Sequence, residues 1–195
     1  MDTFAYQISL ILNTKPSIMI KKTLAITLLI LTFVSCDKID ELTKFNIDYT
    51  TNFTIQATTL LGTPFDIVTP ETTTNSESEF ENNNTNSNLV ESVKLTTLRL
   101  DLQTPASGDF DFLNEIFIYI TADGLPEQLI ASKVGIPENG ARSLTLDIEN
   151  VELEEYIKKD SYRLRTETTT DQTIESDHEI EIYTKFKVDA EILGV

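Results

Sequence analysis

The stretch IEIYTKFKVDAEI, residues 180–192, alternates apolar and polar side chains along its whole length, with Thr184 standing among the apolar set. Successive side chains of a β-strand point to opposite faces of a sheet, so one face of this stretch is apolar and the other polar. The stretch therefore predicts a long, half-buried strand. Its apolar face consists of Ile180, Ile182, Thr184, Phe186, Val188, Ala190 and Ile192.

The same period of two recurs along the chain. It runs from Phe45 to Ala57, and again through residues 93–104, where the phase shifts by one residue at Thr96-Thr97. A β-bulge absorbs one extra residue in this way. Residues 116–120 (IFIYI) are apolar on both faces, which predicts a central strand. The remaining short strands are expected at 65–68 and 128–132, both as edge strands, and at 144–148 and 162–164.

Seven or eight short strands separated by polar loops predict an all-β fold. The pattern is typical of an antiparallel β-sandwich, either immunoglobulin-like or of a similar Greek-key type, built as one domain over residues 45–195. One short helix is predicted over 151–159, with Asn150 as its N-cap. Residues 71–88 contain Phe80 as their sole apolar residue and predict a long flexible loop.

The most apolar stretch lies near the N-terminus, at LAITLLILTFVSC, residues 24–36. Fourteen uncharged residues separate Lys22 from Asp37, whereas spanning a bilayer takes about 20. An apolar core behind Lys21 and Lys22 is typical of a signal peptide. We therefore expect translation to begin at Met19, so that residues 19–35 form the signal peptide and residues 1–18 are upstream sequence read in frame.

The signal ends in Phe33-Val34-Ser35-Cys36, which resembles the lipobox of bacterial lipoproteins, with Phe33 where that family usually has leucine. The resemblance implies that Cys36 becomes the first mature residue and carries acyl chains such as palmitate, anchoring the protein in the outer membrane. Each buried methylene contributes about 0.8 kcal/mol to such an anchor. The alternative is a secreted protein with an unmodified Cys36. Because Cys36 is the sole cysteine, the chain forms no internal disulfide.

Acidic residues follow the cysteine, at Asp37, Asp40 and Glu41. They resemble the surface-export signal of Bacteroidetes lipoproteins, and the composition of the chain also resembles that phylum. A plain solvated tether over residues 36–44 explains them equally well. The face of the outer membrane that the protein occupies, cell surface or periplasmic, therefore stays open.

Charge excludes one class of partner. The chain has a formal net charge of −17, and residues 36–195 carry 12 basic and 31 acidic residues. Proteins bind nucleic acids and anionic lipids largely by neutralising phosphates with lysine and arginine. Nucleic acid is therefore not expected as a partner.

Catalytic and metal-binding signals are sparse. The single histidine, His178, is expected to be exposed beside a turn, and Ser176, Asp177 and His178 do not form a triad, because adjacent strand residues point to opposite faces. No zinc motif or phosphate-binding glycine loop occurs, so no cofactor is expected. Asp109 and Asp111 are a candidate calcium pair, but the favoured interpretation is a strand entry with Phe110 and Phe112 buried. Glu152, Glu154 and Glu155 are interpreted as the solvent-facing side of the short helix.

Aromatic residues provide the last candidates. The chain has no tryptophan, so Tyr119, Tyr156, Tyr162 and Tyr183 are the tyrosines that could stack on a sugar. Tyr183 is preferred because it lies on the polar face of the last strand and should be exposed.

Three functions are consistent with these observations. The preferred hypothesis is a non-catalytic lipoprotein of the cell envelope that binds another envelope protein or supports an outer-membrane assembly. The second is a surface module that binds a glycan or another ligand. The third is an envelope hydrolase that uses paired carboxylates, for which the sequence provides no distances.

Overall fold

The computed structural model describes residues 43–58 and 61–191, which belong to one compact unit and contain ten strands. In chain order these strands are Lys44–Ile55 (β1), Phe65–Val68 (β2), Thr72–Thr73 (β3), Val90–Thr104 (β4), Leu113–Thr121 (β5), Gln128–Val134 (β6), Ser143–Thr145 (β7), Asp147–Ile148 (β8), Ser161–Thr170 (β9) and His178–Ala190 (β10).

The strands form two sheets, and every pairing is antiparallel. The first sheet has the order β1-β10-β4-β7, and the second has the order β2-β9-β5-β6-β8 with β3 also paired to β9. The chain passes repeatedly from one sheet to the other, as it does in a jelly roll built from Greek keys. The predicted antiparallel β-sandwich is therefore confirmed in its Greek-key form. The strands outnumber the expected seven or eight because β3 was not predicted and the strand expected at 144–148 is two short strands, β7 in the first sheet and β8 in the second.

The strand predicted from residues 180–192 is β10, which lies in the interior of the first sheet between β1 and β4. The predicted bulge is also present in β4. Lys185 pairs with Thr97 and Phe186 with Leu95, so Thr96 has no partner in the register. The Thr96 hydroxyl instead donates to the Lys185 carbonyl at 3.0 Å. The bulge returns the apolar residues on both sides of Thr96 to the same inner face.

The second sheet matches most of its predictions. β5 is a central strand between β9 and β6, and β2 is an edge strand. β6, in contrast, is covered over part of its length by β8, through pairs at Ala131 and Ser132. The prediction of an edge strand at 128–132 is therefore wrong for that half of β6.

The predicted loop at 71–88 contains regular structure. Besides β3, it forms an α-helix at Ser76–Asn82 (α1) and a 3-10 helix at Ser87–Leu89. Phe80 is fully buried in the core of the sandwich. The loop prediction is therefore corrected: Phe80 packs against residues distant in sequence, and the buried hydroxyls of Thr74 and Thr85 donate to the Lys159 and Glu191 carbonyls.

The predicted helix is shorter than expected. It covers Glu154–Ile157 (α2), and its N-cap residue is Leu153, not Asn150. Tyr156 and Ile157 are its buried residues.

The signal peptide, the upstream residues 1–18, the lipidation site at Cys36 and most of the tether lie outside the described residues. Within the described part, no helix has the length and apolar character needed to cross a membrane.

Candidate functional site

His178 is not exposed, and the prediction that it is exposed was wrong. The residue begins β10 and is only 8% exposed. Its ring packs against Phe112 at 4.7 Å between centroids, and its Nδ1 lies 2.7 Å from the Ser176 carbonyl oxygen. A Cβ built on Gly108 would lie 3.1 Å from Nε2, so the glycine permits this close approach. His178 is therefore a packed residue at one end of the sandwich.

The Asp109 and Asp111 carboxylates accept hydrogen bonds from backbone N–H groups, Asp109 within its own loop and Asp111 from the loop that contains Asn139 and Gly140. Asp109 Oδ1 accepts from the Asp111 N–H at 3.0 Å, and Asp111 Oδ1 accepts from the N–H groups of Asn139 and Gly140 at 2.9 and 2.8 Å. Phe110 and its neighbour Phe112 are buried. In the described residues, no three side chains of histidine, cysteine, aspartate or glutamate are placed to hold a metal ion.

Glu152 lies outside the short helix, which corrects its interpretation as part of the helix's solvent-facing side. Its Oε1 accepts from the Val93 N–H at 2.6 Å and from the Leu153 N–H at 3.1 Å, and its Oε2 lies 3.5 Å from Lys94 Nζ. Partial burial opposes ionisation, but these hydrogen bonds, together with those from Ser92 and Glu154, keep the pKa of Glu152 below its usual range. Glu152 thus connects β4 to the start of α2.

Two of the four candidate tyrosines are buried and cannot stack on a ligand. Tyr162 lies in the core, and Tyr156 is buried with its hydroxyl donating to the Pro126 carbonyl at 2.7 Å. Tyr183 lies on the outer face of the first sheet, half-buried instead of fully exposed. The Arg99 guanidinium carbon lies 5.0 Å from its ring centroid, so the arginine covers part of the ring.

The fourth tyrosine, Tyr119, lies at the centre of an ordered row on the outer face of the second sheet. The register places Val68, Arg165, Tyr119 and Leu129 side by side across strands β2, β9, β5 and β6. The guanidinium carbon of Arg165 lies 4.2 Å from the Tyr119 ring centroid. This separation is within the range of cation–π contact.

Three carboxylates hold Arg165 in place. Glu127 accepts two hydrogen bonds of 2.8 Å from Nε and Nη2, Asp66 accepts one of 2.5 Å, and Glu167 accepts one of 3.2 Å. The hydrogen bond with Glu127 is the main cause of the raised pKa of Arg165, and the same bond lowers the pKa of Glu127. The arginine is therefore permanently charged and fixed over the tyrosine.

Apolar side chains surround this centre. Val68 is 58% exposed at one end of the row, and Leu129 is half-buried at the other. In the adjacent row, half-buried Phe117 lies between Glu167 and Ser132. We call Val68, Phe117, Tyr119, Leu129 and Arg165 the Arg165 surface.

Sequence analysis included Tyr119 among four candidate tyrosines but preferred Tyr183, and it missed the partners of Tyr119. Asp66 and Arg165 are 99 residues apart, and Glu127 and Arg165 are 38 apart. The sequence contains one signal for this surface: residues 116–120 are apolar on both faces, so Phe117 and Tyr119 form a second apolar face on the strand.

Comparisons with known proteins concern the fold alone. No family model matches this chain, and no curated protein matches it significantly. Among solved structures, the decameric BFDV capsid protein is similar, with 7% identity and a TM-score of 0.35 over 76% of this chain and 99% of that chain. Turnip yellow mosaic virus has 9% identity and a TM-score of 0.25 over 77% and 98%. Tomato aspermy virus has 12% identity and a TM-score of 0.27 over 75% and 80%. Nothing about the function of this chain follows from these similarities.

Proposed function

We propose that this protein is a non-catalytic lipoprotein of the cell envelope, anchored in the outer membrane through Cys36, whose β-sandwich binds another envelope protein. The sequence from Lys21 to Cys36 supports the anchor, because a basic start, a short apolar core and a terminal cysteine occur in the order of a lipoprotein signal. The Arg165 surface is the single observation that supports binding.

The composition of this surface is suited to a protein interface. Tyrosine, phenylalanine and arginine are enriched at the centres of interfaces and among the residues that contribute most to affinity. Arg165 is already held over Tyr119 by Glu127, Asp66 and Glu167. Binding therefore does not have to order a long, flexible side chain, which lowers the entropy lost on association.

The glycan-binding alternative rests on Tyr183, and the geometry there is less favourable. The Tyr183 ring, like that of Tyr119, lies beneath an arginine, but its cross-strand neighbour on β1 is the polar Thr50. The Tyr119 row, in contrast, ends in Val68 on one side and Leu129 on the other. No observation in the described residues specifically supports the hydrolase alternative.

A matched pair of tyrosine variants tests the binding function. Each tyrosine lies on the outer face of one sheet beneath an arginine, so Tyr119→Ser and Tyr183→Ser make the same chemical change at two surfaces. Full-length wild-type protein and both variants are cross-linked in membranes of the source cells. We expect Tyr119→Ser to reduce the recovered partner by about 30-fold, the effect of a strong interface residue, and Tyr183→Ser to leave it unchanged. Equal recovery with Tyr119→Ser would refute the role of the Arg165 surface, and binding to a glycan array lost in Tyr183→Ser would favour the alternative.

Intact-mass analysis tests the anchor separately. Protein isolated from the native membrane should begin at Cys36 and carry acyl mass, and a Cys36→Ala variant should lack that mass and leave the membrane. An unlipidated wild-type product would refute the anchor. Protease treatment of whole cells then distinguishes a surface protein, which is degraded, from a periplasmic one, which is protected.

A further inference from the structure

We propose that an extended, positively charged segment of a partner protein binds along the free edge of β1 as an additional strand, with its apolar side chains in the groove between β1 and β2. The groove contains none of the five residues of the Arg165 surface, although Asp66 in its lining also binds Arg165. In the described residues β1 pairs with β10 alone, so its other side is a sheet edge.

The hydrogen-bond pattern identifies the available backbone groups. Ala190 N–H donates to the Thr43 carbonyl at 3.1 Å, and hydrogen-bonded pairs alternate along an antiparallel ladder. Odd-numbered residues of β1 therefore bond to β10, and even-numbered residues direct their N–H and C=O groups away from it. The Tyr49 hydroxyl donates to the Thr74 carbonyl at 2.6 Å, so β1 contacts the segment of β3 at that point. On the C-terminal side of Tyr49, the even-numbered residues of β1 are Thr50, Asn52 and Thr54.

The second half of β1, beyond the charged Lys44 and Asp48, lacks the usual protection of an edge strand. Natural edges avoid pairing through prolines, bulges, charged side chains or very short strands. β1 has 12 residues without proline and keeps an unbroken register with β10. The outward side chains from Thr50 to Thr54 are uncharged. The edge is therefore suited to strand addition, in which backbone hydrogen bonds provide affinity and alternate side chains provide specificity.

A groove lies beside this edge, at the end of β1. It has a volume of about 430 Å³ and is lined by Thr54, Gln56, Ala57, Thr58, Phe65, Asp66 and Ile67, a size typical of ligand-binding clefts. Phe65 and Ile67 face inward from β2 but are only half-buried, and both pack on the core. They provide an apolar wall for alternate side chains of an added strand.

The charged residues in and beside the groove indicate the charge of the partner segment. The groove lining contains no lysine or arginine, and its one carboxylate, Asp66, is already bound to Arg165, so the unpaired negative charge comes from beside the groove. Asp177 lies beside the groove, where it accepts from the Ala57 N–H at 2.8 Å, and Glu179 is the cross-strand partner of Thr54. A basic segment complements these carboxylates. A second copy of this chain does not, because each copy has a net charge of −17.

The test uses full-length protein and a ten-residue synthetic peptide in which valine alternates with lysine or threonine. Asn52→Pro removes one outward N–H and leaves the β1–β10 hydrogen bonds in place. The matched control is Thr145→Pro, which changes an outward N–H on β7, the opposite edge of the same sheet. We expect Asn52→Pro to weaken peptide binding at least tenfold and Thr145→Pro to change it less than twofold. Asn52→Lys provides a second variant that keeps the N–H and repels the peptide, in case the proline variant does not fold.

Hydrogen exchange localises the bound peptide. Protection of the amides of Thr50, Asn52 and Thr54 on peptide addition supports the proposal. Absence of binding to the wild type, equal binding of a peptide with glutamate in place of lysine, or equal loss in both proline variants would overturn it. A wild-type dimer abolished by Asn52→Pro would also overturn it, since the occupant would then be a second copy.

Discussion

The ring of Phe45 on β1 contacts the ring of Phe80 on α1 edge-on, with centroids 6.4 Å apart and an interplanar angle of 72°. This contact ties the segment 71–88 to the first sheet. We expect Phe80→Ala to lower the free energy of unfolding by about 3–5 kcal/mol, as for other buried phenylalanines. Denaturant unfolding measures the change. Glu81→Ala, on the exposed side of the same helix, is the control and should change stability by less than about 0.5 kcal/mol. Equal effects would contradict the burial of Phe80.

The same substitution should change the stability of the fold in opposite directions at two buried threonines of β9. Thr166 is fully buried, and its hydroxyl has no hydrogen-bond partner, whereas the Thr168 hydroxyl donates to the Glu115 carbonyl at 2.8 Å. Burial of an unpaired hydroxyl is unfavourable by about 1–3 kcal/mol. We therefore expect Thr166→Val to stabilise the fold by about 1 kcal/mol and Thr168→Val to destabilise it by about the same amount. Thermal unfolding of the two variants provides the comparison, and changes of the same sign would refute the hydroxyl assignments.

Stability should fall at alkaline pH because of Tyr49 and Tyr162. Burial is the main cause that raises the pKa of both phenols. The folded state thus retains protons that the unfolded state releases above about pH 10, so the free energy of unfolding falls as pH rises further. Tyr49→Phe should be less stable than wild type at pH 7, by about 1 kcal/mol for the lost hydrogen bond to Thr74. The difference should shrink at pH 11. A constant difference in urea unfolding at both pH values would contradict this expectation.

The Glu152 carboxylate should stabilise the fold in its ionised form. Its pKa is lowered in the folded state, so its contribution is present above the unfolded pKa of about 4.3 and is lost as pH falls through the folded value. Glu152→Gln should lower the melting temperature at pH 7 and have little effect at pH 3. Glu155→Gln, an exposed neighbour on α2, is the control and should have little effect at either pH. If both variants melt alike at pH 7, the hydrogen bonds of Glu152 do not contribute.

The long strands could be predicted because alternation directly encodes which face is buried. β1, β10 and the bulge at Thr96 all follow from the positions of their apolar residues. Among the shortest strands, β3 was not predicted, since two residues do not establish a period, and β7 and β8 were expected as one strand at 144–148 although they lie in different sheets. α1 was missed for a related reason: its buried residues are Phe80 and the polar Ser76, and the partner ring of Phe45 is 35 residues away in the chain.

The site was less predictable than the fold. His178 was misplaced because its burial is created by Phe112 on a separate segment of the chain. Glu152 was assigned to the helix because it directly precedes Leu153, although its bonds to Ser92 and Val93 connect it to β4. Tyr119 could be selected by residue type, but its contact with Arg165 depends on the order of strands in the second sheet.

The bulge in β4 has a consequence for how this protein tolerates mutation. Thr96 is the residue without a partner at this bulge, which is one of three register shifts between β4 and β10, and its side chain is exposed. Many amino acids should be acceptable there. Deletion of the residue should not be acceptable, because it would shift the register of β4 by one residue on one side of the bulge. Val93 and Leu95 would then point outward, and Ser92 and Lys94 would point inward. Among descendants of this sequence we therefore expect position 96 to vary freely in identity while its codon is never deleted.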